Sequence, residues 1–266
     1  MKIGLPMPAV TGITRTNCTF ADAGSESALT DGQPANVCRL NVSGASPALE
    51  LAFGAAFTPG VICLLGLTCA PGTIISATTG AGGALGGNSA AQPAVRLADG
   101  SVACWILTSG AVATATVKVT VGVGAGVVDI GELAVMRAVD IPNTPDWGYG
   151  RVDPSNSVRT RGGQVATSVR RTYRTLRVAP TAAALAQVRG GGLAGGLDWD
   201  DVLVALTGDA RCAVIPRWLT PAGAVDAAEL HATALYGIAR QGGTAHVGGN
   251  YYGSDNGWTF EEVPPK

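Results

Sequence analysis

The chain has 266 residues, of which 47% are apolar and only 14% charged, with 38 glycines and a formal net charge of −1. That length accommodates one large domain or two ordinary ones with a full core. A near-neutral balance excludes a bulk electrostatic pull toward nucleic acid or membrane. So sparse a charge also points to surface covered by neighbours. No run of 18 apolar residues is present, so no membrane span is expected. Met1-Lys2-Ile3, followed by Pro6 and Pro8, does not read as a signal peptide. Cys18, Cys38, Cys63, Cys69, Cys104 and Cys212 form no Cys-x-x-Cys pair, and read as buried small apolar residues rather than metal ligands or disulfides.

In chain order, Asp31-Gly32 marks a tight turn. Val37–Val42, Ala48–Phe53 and Val61–Thr68 read as strands. Val61 to Leu65 is continuously apolar, as in a strand buried on both faces. Residues 71–93, with Gly72, Gly80, Gly82, Gly83, Gly86 and Gly87, read as a loop. Val95–Leu97 and Val102–Leu107 flank a turn at Ala98-Asp99-Gly100. Residues 115–123 alternate, with Val117, Val119, Val121 and Val123 on one face. A β run from Val128 to Val135 closes the first half. Gly122-Val123-Gly124-Ala125-Gly126 lacks the following helix and the Lys-Ser/Thr pair of a phosphate loop, and reads as a hairpin turn.

Pro142, Pro145 and Pro154 make residues 141–155 extended, as a linker. Trp147 and Tyr149 read as an anchor against a domain or subunit. Arg151, Arg159, Arg161, Arg170, Arg171, Arg174 and Arg177 then fall within 27 residues, opposed only by Asp153. The rest of the chain has 11 Lys or Arg against 18 acids. Residues 157–161 and 164–169 read as strands around Gly162-Gly163, and residues 171–178 as a third. There Arg171, Tyr173, Thr175 and Arg177 share one face, and Thr172, Arg174, Leu176 and Val178 the other. Arginine on both faces argues an edge strand or a covered surface. Inter-subunit ion pairing, a solvated face and nucleic-acid contact all remain open, the first suiting guanidinium geometry best.

Residues 181–188 read as a helix stopped by Gly190–Gly192. Asp198 reads as the cap of a helix whose first-turn acids complement its dipole. Residues 211–219 read as a strand. Residues 229–240 include a strand at 235–238, before a polar hairpin at 241–256 and a final alternating strand at 258–263. His231 and His246 stand without a Gly-x-Ser-x-Gly elbow or His-x-x-x-His pair, so both read as structural or surface residues. No catalytic, metal or cofactor residues are nominated, and an enzyme is not expected.

Two resemblances add to this. The order Asn17, Asp22, Ser25, Leu29-Thr30-Asp31-Gly32, then Leu49-Glu50-Leu51-Ala52-Phe53-Gly54, Val61–Leu67 and Val128–Val135 resembles a galactose-binding-like jelly roll. Ile130-Gly131-Glu132-Leu133, Asp146-Trp147-Gly148-Tyr149-Gly150, Arg159-Thr160-Arg161-Gly162-Gly163-Gln164, Arg171-Thr172-Tyr173-Arg174-Thr175-Leu176 and Tyr236-Gly237 resemble tail-tip (baseplate) proteins of long-tailed phages. Together they imply a mainly β chain. A jelly-roll β-sandwich over 1–138 and a linker over 139–156 precede an α+β docking domain with an antiparallel sheet over 157–266. The implied role is a structural subunit of the virion tail tip, assembled in the host cytoplasm as a homo-oligomeric ring or collar on tail-tube or hub proteins. Trp147, Tyr149, Arg159, Arg161, Arg171, Tyr173 and Arg174 are the implied interface. The alternative is a carbohydrate-binding module for a host surface glycan, with contacts such as Asn88 and Trp105.

Overall fold

A computed structural model describes residues 1–159, 161–181, 183–249, 251–253 and 257–264. Pairing among the named strands is antiparallel. The first half contains β1 (Lys2–Gly4), β2 (Val10–Thr16), β3 (Cys18–Phe20), β4 (Cys38–Val42), β5 (Ala48–Phe57), β6 (Val61–Leu65), β7 (Ile74–Thr79), β8 (Gln92–Pro93), β9 (Val95–Arg96), β10 (Val102–Leu107), β11 (Thr114–Val121), β12 (Gly126–Ile130), β13 (Glu132–Met136) and β14 (Ala138–Asp140). The sheet β2-β5-β11-β7-β8 packs against β13-β6-β10-β9 and β12-β4-β3, which gives a jelly-roll β-sandwich. Alternation builds its core: Leu49, Leu51 and Phe53 of β5 and Val117, Val119 and Val121 of β11 point inward, where each contributes about 1.5–3 kcal/mol. The chain changes sheets at Gly131, whose N–H donates to the Leu65 carbonyl at 2.8 Å. A Cβ there would collide with the Pro34 carbonyl oxygen, so only glycine fits.

The second half contains β15 (Asn143–Val152), β16 (Asn156–Arg159), β17 (Val165–Ser168), β18 (Tyr173–Pro180), β19 (Ala183–Ala184), α1 (Leu185–Arg189), α2 (Trp199–Ala205), β20 (Arg211–Ile215), α3 (Ala227–Thr233), β21 (Leu235–Gln241), β22 (Ala245–Gly248), β23 (Tyr251–Gly253) and β24 (Trp258–Glu262). Its main sheet has seven strands in the order β14-β1-β20-β21-β24-β18-β15. One face buries Leu176, Val178 and Phe260 with Trp199 and Trp258, whose rings meet edge-on at 5.7 Å. Asp198 caps α2 by accepting from the Asp201 N–H, and Asp201 reciprocates.

Several expectations are corrected. Residues 139–156 are not a free linker, since β14 and β15 both lie in the seven-stranded sheet. Nor does residue 1 begin the jelly roll. β1 is inserted between β14 and β20, and the Met1 amino group donates to the Ile141 carbonyl at 2.7 Å. The glycine-rich stretch 71–93 contains β7, whose Ile75 and Ala77 are buried beside β11. The run 128–135 is two strands in different sheets, and residues 122–125 join sheets instead of closing a hairpin. The helix expected at 181–188 starts only at Leu185, because Ala183 and Ala184 pair with β23. Finally, β18 is an interior strand with β15 outside it.

The two halves share a core. Odd positions of β6 (Val61, Cys63, Leu65) join Trp105 of β10 and Ala134 and Met136 of β13. This face packs on Ala213 and Ile215 of β20, Tyr236 of β21, and Leu230 and Ala234 at α3. The even positions Ile62 and Leu64 face the jelly-roll core. The middle sheet is therefore buried on both sides. Replacing Trp105 by Ala removes the largest side chain of that layer and is expected to cost about 3–5 kcal/mol. Urea unfolding followed by tryptophan fluorescence and by far-ultraviolet circular dichroism should give one coincident transition, shifted to lower urea in the variant. Two separate transitions would contradict a shared core.

Candidate functional site

Chemistry-bearing residues gather at the junction of the halves and in the ribbon beside it. At the junction, His231 of α3 is 1% exposed. Its Nδ1 lies 2.7 Å from the Ala227 carbonyl, and its Nε2 accepts from the Trp105 N–H at 3.1 Å. A carbonyl only accepts and an amide N–H only donates, so the ring is neutral with its proton on Nδ1. Burial lowers its pKa, consistent with that form. Glu132 is 1% exposed, and neither carboxyl oxygen makes a hydrogen bond. Burial pushes its pKa up to about 8, and the Asp31 carboxylate adds to the rise. The nearby Gly32 amide, Tyr236 hydroxyl and Arg211 charge offset it only in part, since neither polar hydrogen reaches the carboxylate in good hydrogen-bond geometry.

A cleft of ≈ 370 Å³ opens beside this junction. One wall is the jelly-roll turn 95–99, and the other carries Tyr149, Arg151, Tyr173 and Arg174. Strand pairing brings these together, because Arg151 stands opposite Arg174 and Val152 opposite Tyr173. Arg174 is not a free docking cation. Its side chain is 16% exposed, pairs with Glu262 at 2.7 Å, and donates to the Ala232 and Ala234 carbonyls. Arg171 pairs with Asp99 at 3.1 Å and ties the second half to the jelly-roll turn. Tyr149 is 40% exposed, meets Trp147 edge-on at 5.1 Å, and donates weakly to the Ala232 carbonyl at 3.4 Å. Arg151 is exposed and makes no ion pair among the described residues.

Beyond the cleft, β16 and β17 form a two-stranded ribbon. Residues 156–159 and 161–172 are exposed at every position. The turn uses Gly163 at φ +81°, a conformation that glycine adopts without a Cβ clash. Ser157 and Thr167 hydroxyls meet at 3.0 Å, and at the base the Arg170 N–H donates to the Ser155 hydroxyl at 2.9 Å. Val158, Val165 and Val169 are 58%, 58% and 82% exposed. Arg159, Arg161 and Arg170 make no side-chain contact that would satisfy their charge among the described residues.

The nominated residues thus separate. Tyr149, Arg171, Tyr173 and Arg174 surround or flank the cleft, with Trp147 behind Tyr149. Arg159 and Arg161 sit on the ribbon. Trp105 is corrected as a sugar contact, because at 1% exposure it presents no surface. Asn88 turns its side-chain carbonyl to the Leu107 N–H at 3.1 Å, which holds the loop in place. Sequence reading missed Glu132 as an orphaned acid and Arg151 as an unpaired cation. The only signal for the former was an acid within an otherwise apolar strand. Among the described residues, no cluster of three or more His, Cys, Asp or Glu is placed to hold a metal ion, and no helix is long and apolar enough to cross a membrane.

No protein-family model matches the chain, and no curated protein does. Among solved structures it is similar to the lectin domain of lectinolysin complexed with Lewis B antigen (14% identity, TM-score 0.36), over 49% of this chain and 94% of that one. It is similar to a fucose-binding module of Streptococcus pneumoniae (14%, TM-score 0.35), over 50% and 96%. It is also similar to the CBM32 of AlyQ in complex with 4,5-unsaturated mannuronic acid (12%, TM-score 0.32), over 49% and 97%. At such identities and scores, no ligand or activity passes from them to this chain.

Glu132 gives a pH test. A carboxyl held protonated by the fold contributes its stability fully below its unfolded pKa, near 4.5, and loses it as pH rises toward 8. Glu132→Gln mimics the protonated form. Its melting temperature is expected to match the parent at pH 4.5 and to exceed it above pH 8. Equal melting temperatures at both ends would contradict the buried, unpaired acid.

Proposed function

We propose that the chain is a non-catalytic structural subunit of the tail tip of a long-tailed phage, fixed to its neighbours by the β16–β17 ribbon. One observation carries the docking role. The ribbon is exposed at every described position, with three large aliphatic side chains and arginines that have no charge partner among the described residues. An isolated two-stranded ribbon is marginally stable in water, and unpaired strand edges are templates for association. Such an element makes physical sense as an arm that another protein covers. The sequence resemblance to tail-tip proteins includes Arg159, Arg161 and Gly162-Gly163, the tip of this arm, and supplies the virion setting. Arg171 and Arg174 act within the subunit, which leaves Arg159, Arg161 and Arg170 as the docking cations.

Replacing Arg159, Arg161 and Arg170 together by Glu should leave the circular dichroism spectrum and melting temperature unchanged, because these side chains make no ion pair or hydrogen bond among the described residues. The variant, supplied in place of the parent, should then be missing from purified particles. Incorporation at parental levels would reject the arm as the docking element. Gold-labelled antibody against the parent should decorate one end of the tail.

A second reading, carbohydrate binding, is favoured by the cleft. Its tyrosines and the unpaired Arg151 offer an aromatic surface and donors to a sugar, above all one bearing a carboxylate. A glycan array should then show ligands for the parent that are lost in Arg151→Ala and Tyr173→Ala. An array without ligands would remove this reading and leave the first intact.

A further inference from the structure

The arm's receptor can be sought on the chain itself. Apart from residues 151–177, the chain carries 18 acids against 11 Lys or Arg, so the arginine arm and the remaining surface are opposite in charge. One surface also complements it in polarity. Between α2 and the β21–β24 region lies a groove of ≈ 460 Å³, lined by Leu203, Val204, Leu206, Ala239 and Phe260 among others. Val204 is 70% exposed at the groove's lip, although the fold buries Val202 on the opposite side of the helix. Asp201 stands three residues before Val204, hence on the same helical face, and is exposed. Asp209 follows the helix, with its side chain 78% exposed and only a long 3.5 Å contact to Arg240. Arg240 is itself held by Glu261 at 2.6 Å. Asp201, Asp209 and Glu261 against Arg240 and Arg211, whose Nη1 donates to the Asp209 carbonyl at 2.9 Å, leave the rim with a net charge of −1.

We infer that the arm of one copy docks in the α2 groove of the next copy, in a head-to-tail contact. This rests on the docking role proposed above and names its partner. On the ribbon, Val158 and Ala166 are paired on one face, while Arg159 and Val165 are paired on the other. The Val158 face covers Leu203 and Val204, and the arginines at the tip and base meet Asp201 and Asp209. A ribbon and a groove are different surfaces, so the contact is heterologous and repeats from copy to copy. It generates a ring if the rotation closes. Opposite charge sets the register, and screening by salt weakens it.

The test uses the purified full-length chain and two variants, with mass measured by analytical ultracentrifugation at low and high salt. The first variant carries Arg161→Glu and Arg170→Glu. The second carries Asp209→Arg, which leaves the Asp198–Asp201 cap of α2 intact. The parent is expected to self-associate at low salt and to dissociate as salt rises. Each variant alone should associate more weakly by about tenfold or more, because like charges then face each other. An equimolar mixture should reassemble, since each arm again meets a groove of opposite charge in the other variant. Circular dichroism of each variant checks that it is folded. A parent that stays monomeric at low salt, or folded variants that fail to reassemble when mixed, would overturn self-docking. If gold label still marks the tail end in that case, only the identity of the partner is lost. If the mixture reassembles but the chain is absent from particles, self-docking stands and the virion setting falls.

Discussion

The whole molecule depends on a sheet that has no outside. β6, β10 and β13 carry apolar side chains on both faces, one facing the jelly-roll core and the other the seven-stranded sheet. A sheet of this kind has no stable solvated form, so neither half is complete alone. The N-terminal strand strengthens the tie by crossing over to sit between β14 and β20. Polar groups at the junction obey the same logic. His231 stays neutral because its two ring nitrogens are matched to a fixed acceptor and a fixed donor. Arg174 enters a poorly solvated place only because Glu262 and two carbonyls receive it. Removing one partner of such a pair leaves the other charge uncompensated, which is why the pair is a tie within the subunit.

Much of the first half was legible in the sequence because period-two alternation and turn residues are local signals. Val117, Val119 and Val121 lie inside as alternation requires, and the unbroken run Val61–Leu65 is indeed buried on both faces. β7 was hidden because its sequence, Ile-Ile-Ser-Ala-Thr-Thr, is small and weakly apolar among glycines. Only its pairing with β11 makes it a strand. The seven-stranded sheet was hidden for a different reason. It recruits β1 from one end of the sequence and β24 from the other, and no local pattern reports pairing over such separations. α3 was masked by the strand that follows it. Asp226, whose side chain accepts from the Glu229 N–H, was the available start signal.

The same contrast holds at the candidate site. The arginine block stood out by composition, but composition cannot distinguish a charge neutralised inside the fold from one left outside. The structure divides the block. Arg171 and Arg174 are taken up by Asp99 and Glu262, acids distant in sequence. Trp105 illustrates the reverse error. An aromatic beside a turn reads as a sugar platform, yet its place on an odd-facing position of β10 puts it in the layer between the halves.

What remains outside is therefore informative. The fold matches several cations to acids or to carbonyls: Arg39 to Asp129, Arg189 to Asp200, Arg240 to Glu261, and Arg137 and Arg211 to backbone oxygens. A chain so sparse in charge has little reason to project Arg159, Arg161 and Arg170 without a charge partner among the described residues. The ribbon does not help to close a core, and its valines are more exposed than a stable monomer needs. Its conformation is held by Gly163, by the Ser157–Thr167 hydroxyl contact and by the Ser155 clasp. Pre-organisation of this kind lowers the ordering cost of association. The docking role proposed for the arm would give the sparse surface charge of the chain a physical sense.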